Sequence, residues 1–193
     1  LLILVQSLGF IPSLGLNQFT LSYYMKAFYD DAFGSAFIFS MVCSTICSIA
    51  AVILGFFIAL ILSNSKKKGI LQDVLQIPLL IPHFTAAFMM FLLLSQSGIA
   101  SRIMGSLNII NDQSFFPQLV LDKLGLGIMI TYIWKEVPFC ALVIFASMKN
   151  IDDRLKAVSS NLGASKFQYI KSVLLPLRLP TMLNTFIIIF AYN

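Results

Sequence analysis

Hydrophobic positions in this chain run in long unbroken blocks rather than in short alternations. Residues 32–65 carry no charged side chain, and residues 74–101 carry none apart from the titratable His83. A helix rises about 1.5 Å per residue, so a hydrocarbon layer of about 30 Å takes about 20 apolar residues. The pattern therefore predicts membrane spans over 36–62 and over 79–98, the second starting near Leu79. A third block, 124–148, is interrupted by the adjacent Lys135 and Glu136. Uncharged stretches at the two ends, 1–16 and 179–193, predict partial spans. Three complete and two partial spans in a fragment of a longer chain is the expectation. It rests on an opening Leu1 and on an apolar run, Phe186–Phe190, that closes soon after Arg178.

Between these blocks the periodicity changes. Ile99 to Ile110 suggests a short interfacial helix, and Asn111-Asp112-Gln113-Ser114 a turn. Pro78 and Pro82, four apart, remove two helix donors and predict a break or a helix start at the membrane boundary. Ile151, Leu155, Val158 and Leu162 fall at i, i+4, i+7 and i+11, one helical stripe. Gly163 interrupts, and Phe167, Ile170 and Leu174 make a second stripe. Leu175-Pro176 and Leu179-Pro180 are expected to stop that helix before the last apolar run. The stretch 150–176 thus reads as a bent helical hairpin with an apolar face. Such a face either lies on the inner leaflet or enters a groove on another protein.

Composition sharpens this. Hydrophobic residues make up 59% and charged residues 11% of the 193 positions, and mean hydropathy is +0.91. Soluble domains average about 25% charged, so this chain cannot cover a water-facing surface. Disorder is excluded by the apolar content, and a disulfide scaffold by the presence of only three cysteines. The fold class expected is all-α, a polytopic transmembrane helix bundle. Phe is the leading aromatic, with 18 copies set mainly in apolar runs, which suits lipid contact and not nucleic-acid stacking.

The net charge of +5 reports orientation. If the loops near Lys66 and Arg154 share a side, that side holds Lys66, Lys67, Lys68, Lys149, Arg154, Lys156, Lys166, Lys171 and Arg178. The opposite side holds only Lys26, Arg102 and Lys123. The positive-inside rule makes the richer side, with its 150–176 loop, cytoplasmic.

Enzyme chemistry has little to stand on. There is no G-x-x-x-x-G-K-[ST] phosphate loop, no H-E-x-x-H, and a single histidine, so no metal site is expected. His83 suits a helix end, and Cys43, Cys47 and Cys140 suit packing. Lys135 and Glu136 are more telling. Charges at the centre of a span cost about 2.5–3.5 kcal/mol each, against a gain of about 0.3–0.6 for each Leu, Ile, Phe or Val. The span inserts only with its charges turned to the bundle interior, to water or to the interface. Trp134, Lys135 and Glu136 are therefore candidates for a solute pathway, the alternative being a packing feature. Neighbouring helix positions point about 100° apart, so the two charges need not pair.

Taken together, these residues resemble the permease subunits of ATP-binding-cassette importers. That family carries a cytoplasmic loop of the form E-A-A-x-x-x-G, nine residues, then I-x-L-P. Ala157-Val158-Ser159-Ser160-Asn161-Leu162-Gly163 occupies the first part here, with Ala164 following, and Val173-Leu174-Leu175-Pro176 stands at the required spacing. Ala157 replaces the family's Glu, and Val158-Ser159 its Ala-Ala. Thr20-Leu21 with Tyr24, the Pro78/Pro82 pair and Tyr132-Ile133-Trp134 before Pro138-Phe139 resemble the subgroup importing polyamines, sulfate or iron. Polyamine is the first expectation among solutes.

The resemblance implies that Ile151, Leu155, Ala157, Val158, Leu162, Gly163, Ala164, Val173, Leu175 and Pro176 form a coupling helix seated on a separate ATPase. It also implies a second permease subunit, an extracytoplasmic solute-binding protein and no cofactor on this chain, ATP and Mg being used by the ATPase. A secondary transporter or channel using Lys135 and Glu136 across the Pro78–Pro82 break is the alternative. A membrane-embedded enzyme lacks any convergent set of nucleophile, base or metal ligands.

Overall fold

The computed structural model describes residues 2–149 and 153–193, and these are helical along most of their length. Two compact units, Leu1–Cys43 and Ser44–Asn193, divide the chain. In the first, α1 (Leu2–Ser7) ends as Gly9 takes a left-handed φ of 84°. α2 (Ser22–Phe28) follows, tied back by the Tyr24 hydroxyl, which donates to Ser7 Oγ at 2.7 Å. Within the partial span expected over 1–16, α-helix covers only Leu2–Ser7, and a 3₁₀ turn follows at Pro12–Leu14. α3 (Asp31–Asn64) begins in this unit and continues through the second.

The second unit adds α4 (Lys68–Leu80), α5 (His83–Leu94), α6 (Ile99–Ser106) and α7 (Leu126–Met148). It closes with α8 (Asp153–Asn161), α9 (Lys166–Tyr169), a π-helical segment over Ile170–Leu174, and α10 (Leu175–Tyr192). Among the described residues, four stretches are long and apolar enough to cross a membrane: Asp31–Asn64, His83–Ser106, Leu126–Met148 and Lys166–Tyr192. A short helix does follow Ile99, as α6. The expected turn is a 3₁₀ segment, Gln113–Phe115, opened by Asp112 Oδ1 accepting from the Ser114 amide at 2.8 Å.

Two expectations are corrected here. The second span does not start near Leu79. That residue belongs to α4, and the long apolar helix begins at His83. Proline disfavours helical backbone in the residue before it, and Ile81, ahead of Pro82, is extended at φ −82°, ψ 124°. The second correction concerns Pro176 and Pro180, which do not stop the helix. Helical backbone is continuous from Lys166 to Tyr192, with Pro180 inside α10. Proline cannot donate to the carbonyl four residues back, and the chain meets this by widening one turn. Just ahead of Pro176 the Leu175 amide bonds to the Ile170 carbonyl, an i→i+5 link.

Small residues hold the core. Cys47, Ala51, Gly55 and Ala59, spaced every fourth residue on α3, are buried, and Cys140, Ile144 and Phe145 of α7 and Ile189 of α10 are buried with them. In lipid no hydrophobic force drives helices together, so close van der Waals contact through small side chains must do it. Large residues on the other face of α3, such as Ile53, Phe57 and Ile61, are exposed, as lipid-facing side chains are. Hydroxyls within the bundle satisfy themselves locally: Thr131 and Thr185 donate to the carbonyls of Gly127 and Thr181 at 2.7 and 2.8 Å. Cys43, Cys47 and Cys140 are buried thiols.

Candidate functional site

The elbow after α7 is built by local backbone chemistry. At the end of α8 the Gly163 amide donates to the Ser160 carbonyl at 3.0 Å, and the Ala164 amide to the Ser159 carbonyl at 3.0 Å. This pair of bonds is the Schellman closure, and it needs a left-handed residue. Gly163 supplies it with φ 79°. The next helix starts on a capping box: Gln168 donates its amide to Ser165 Oγ at 3.3 Å, and its side-chain oxygen accepts from the Ser165 amide at 2.7 Å. A helix, a left-handed stop and a capped second helix follow one another within a few residues.

Apolar side chains crowd the outside of this elbow. Leu162 is 82% exposed, and Leu155, Val158 and Phe167 are exposed with it. Ala157 and Gly163 are also exposed, Ala164 half-buried. Ile151, the first member of the expected stripe, lies outside the described residues. Farther on, Val173 and Leu175 are half-buried, Pro176 is exposed, and Leu174 is buried. The stripe Phe167–Ile170–Leu174 therefore divides, its start facing outward and its end belonging to the core.

The charged pair of α7 occupies two different environments. Lys135, 6% exposed, donates from Nζ to the Pro78 carbonyl at 3.2 Å and to the Ile81 carbonyl. Glu136, 5% exposed, has both carboxylate oxygens buried without a hydrogen bond of ordinary geometry among the described residues. Asn193 is a polar side chain beside it, and it donates to Ser48 Oγ at 3.5 Å. Trp134 is half-buried. Among the described residues the two charges form no ion pair, in keeping with their divergence around the helix.

A cavity of about 560 Å³ opens between α5 and α7. His83, Met90, Asp122, Thr131, Tyr132 and Lys135 are among its walls, and most of its surface is apolar. At its rim the Asp122 carboxylate accepts from the amides of Leu126 at 2.9 Å and Leu124 at 3.1 Å. These amide donors, the Leu126 amide foremost, hold its pKa below the ordinary carboxylate value. His83 packs its ring on Tyr192, centroids 5.0 Å apart, with the Tyr192 hydroxyl 3.3 Å from Nδ1.

Sequence reasoning missed the partners. Periodicity gave no sign that Lys135 reaches the α4–α5 break, that Tyr192 meets His83 or that Asn193 stands beside Glu136. The i, i+4 prolines did carry a signal, because Pro82 leaves the Pro78 carbonyl without its helical donor.

Comparison with known proteins adds the family. The model of the family described as "Binding-protein-dependent transport system inner membrane component" matches residues 51–193. The chain is 29% identical over 145 residues to the trehalose/maltose transport system permease protein MalF of Thermococcus litoralis, covering 70% of this chain and 46% of that protein. It is 25% identical over 145 residues to the probable sulfate transport system permease protein cysT of Helicosporidium, covering 74% and 50%. With the inner membrane ABC transporter permease protein YdcU of Escherichia coli identity is 26% over 141 residues, covering 68% and 45%. The chain thus spans about half the length of the curated relatives it matches. Among solved structures, a bacterial ABC transporter importing the acidic polysaccharide alginate shares the fold, with a TM-score of 0.73 at 19% identity over 98% of this chain and 69% of that one. A bacterial alginate ABC transporter in complex with an alginate-bound periplasmic protein gives 0.70 at 20%, covering 93% and 65%.

Proposed function

Since the chain belongs to the family of binding-protein-dependent transport system inner membrane components, we propose that it is the membrane-spanning permease part of an ATP-driven importer. A separate ATPase hydrolyses ATP, a second permease completes the pathway, and a binding protein delivers solute from outside. One observation carries this reading: a rigidly capped elbow, 153–169, that displays Leu155, Val158, Leu162 and Phe167 to the outside. An apolar knob at the end of a spanning helix suits a cleft on a partner and passes force through packing alone. Charge bias supports a cytoplasmic side for this elbow, the side from which a separate ATPase would act.

Solute would pass along the cavity between α5 and α7, with Lys135 in its wall and Trp134 and Glu136 on the same turn of α7. Relatives differ in the solutes they are named for, trehalose/maltose in one and sulfate in another. Polyamines, suggested by the sequence resemblance, are the class to screen first on the cognate binding protein. An ion-coupled transporter is the weaker reading, because backbone carbonyls already hold the Lys135 ammonium.

The test is Leu162→Glu in the full-length permease, reconstituted with its ATPase and binding protein. Leu162 is exposed, so membrane insertion and folding should match wild type while solute-stimulated ATP hydrolysis falls to the basal level. Normal stimulation in this variant would remove the elbow from the mechanism.

A further inference from the structure

Two carbonyl groups at the end of α4 lack partners for a covalent reason. In an unbroken helix the amide of residue 82 would donate to the carbonyl of residue 78, and Pro82 has no amide hydrogen. Ile81, extended at ψ 124°, turns its own carbonyl out of the helical ladder. Away from water an unpaired carbonyl is costly, and broken helices persist in membranes only where something supplies the missing donor.

The buried Lys135 side chain has the opposite need. An ammonium carries three donors and no acceptor, and among the described residues no carboxylate forms an ion pair with it. Its Nζ lies 3.2 Å from the Pro78 carbonyl oxygen and bonds also to that of Ile81. These are two of the oxygens that the break leaves over. Each side satisfies the group that the other strands.

We propose that Lys135 is the positioning residue of the α4–α5 break, its ammonium supplying from α7 the donor that Pro82 lacks. This accounts for a charge in mid-span without placing it on a transported solute, and it stands independently of the transport reading. It also ties α7 to the end of α4, just ahead of His83, where α5 begins.

The test reads the angle of the break directly. In the full-length protein, assembled with its co-purifying subunits in lipid nanodiscs, spin labels are attached at Leu71→Cys on α4 and Phe88→Cys on α5, both exposed. Wild type should give one narrow distance, and Lys135→Arg, which keeps a donor, should preserve it. Lys135→Met should widen the distribution about twofold as several break geometries become populated. Adding Pro82→Ala to Lys135→Met should narrow it again, since residue 81 is freed to turn helical and an amide returns for the Pro78 carbonyl. A wild-type distribution in Lys135→Met overturns the proposal, and so does broadening that Pro82→Ala leaves unchanged. If Lys135→Met fails to assemble, yield becomes the measurement. Recovery in both Lys135→Arg and the double variant supports the assignment, and recovery in neither overturns it.

Discussion

Gly55 of α3 and Cys140 of α7 meet so closely that a β-carbon on the glycine would lie 2.5 Å from Cys140 Cβ and 2.9 Å from the Ala141 amide nitrogen. Neither neighbour is the mobile tip of a long side chain, so relief requires the helices to part. Overpacking of this kind costs about 1–3 kcal/mol. Gly55→Ala should lower Tm by several degrees and open the buried Cys140 thiol to maleimide, with Gly55→Val worse on both counts. Unchanged labelling of Cys140 in Gly55→Val would mean that the two helices are not in contact there.

At Gly163 the constraint is conformational instead. A β-carbon there would meet nothing within 4 Å, yet φ is 79°. Left-handed backbone costs an ordinary L-residue about 1–2 kcal/mol, and asparagine tolerates it better. Gly163→Asn should therefore perturb the elbow less than Gly163→Ala, although asparagine is larger. Hydrogen exchange at the Ala164 amide, which closes α8, measures it. Protection should fall more in the alanine variant, and the reverse order would show that volume governs the site.

Much of this arrangement was legible in the sequence because lipid imposes length. Uncharged blocks of the required span could hardly fold otherwise, and the stripe Leu155–Val158–Leu162 with Gly163 behind it announced a helix and its stop. Proline was harder to read. At Pro82 the chain does break, and the break sets the start of α5 at His83 rather than near Leu79. At Pro176 a π-helical turn absorbs the missing donor, and the helix runs on. The residue ahead of the proline is extended in one place and helical in the other, and its type does not tell the two apart. The partners of Lys135 and Glu136 come from residues more than fifty positions away in sequence, beyond the reach of any periodicity.

Acid should loosen the start of α7. The Asp122 carboxylate accepts from the Leu126 and Leu124 amides, and this holds its folded-state pKa below the unfolded value. Stabilisation from such a group is present above the unfolded carboxylate pKa and is lost as pH falls through the lowered folded value. Protection of the Leu126 amide should be flat near neutral pH and drop only in strong acid. Asp122→Asn should show weaker protection and no such drop. A wild-type profile that begins to fall near pH 6–7 would assign the effect to another group.

Phe167 and Leu174 lie two turns apart on one sequence stripe but in opposite surroundings. Phe167 is 71% exposed and Leu174 only 7%. Removing a buried leucine side chain leaves a cavity and costs about 2–5 kcal/mol, whereas truncation of an exposed residue usually stays within about 0.5 kcal/mol. Leu174→Ala should therefore lower Tm markedly, with ATPase coupling intact at temperatures where the protein remains folded. Phe167→Ala should leave Tm unchanged and weaken solute-stimulated ATP hydrolysis in the reconstituted importer. Thermal unfolding and stimulated hydrolysis, measured on the same two preparations, separate the roles. Equal loss of stability in both variants would mean that Phe167 belongs to the core and not to a surface offered to a partner.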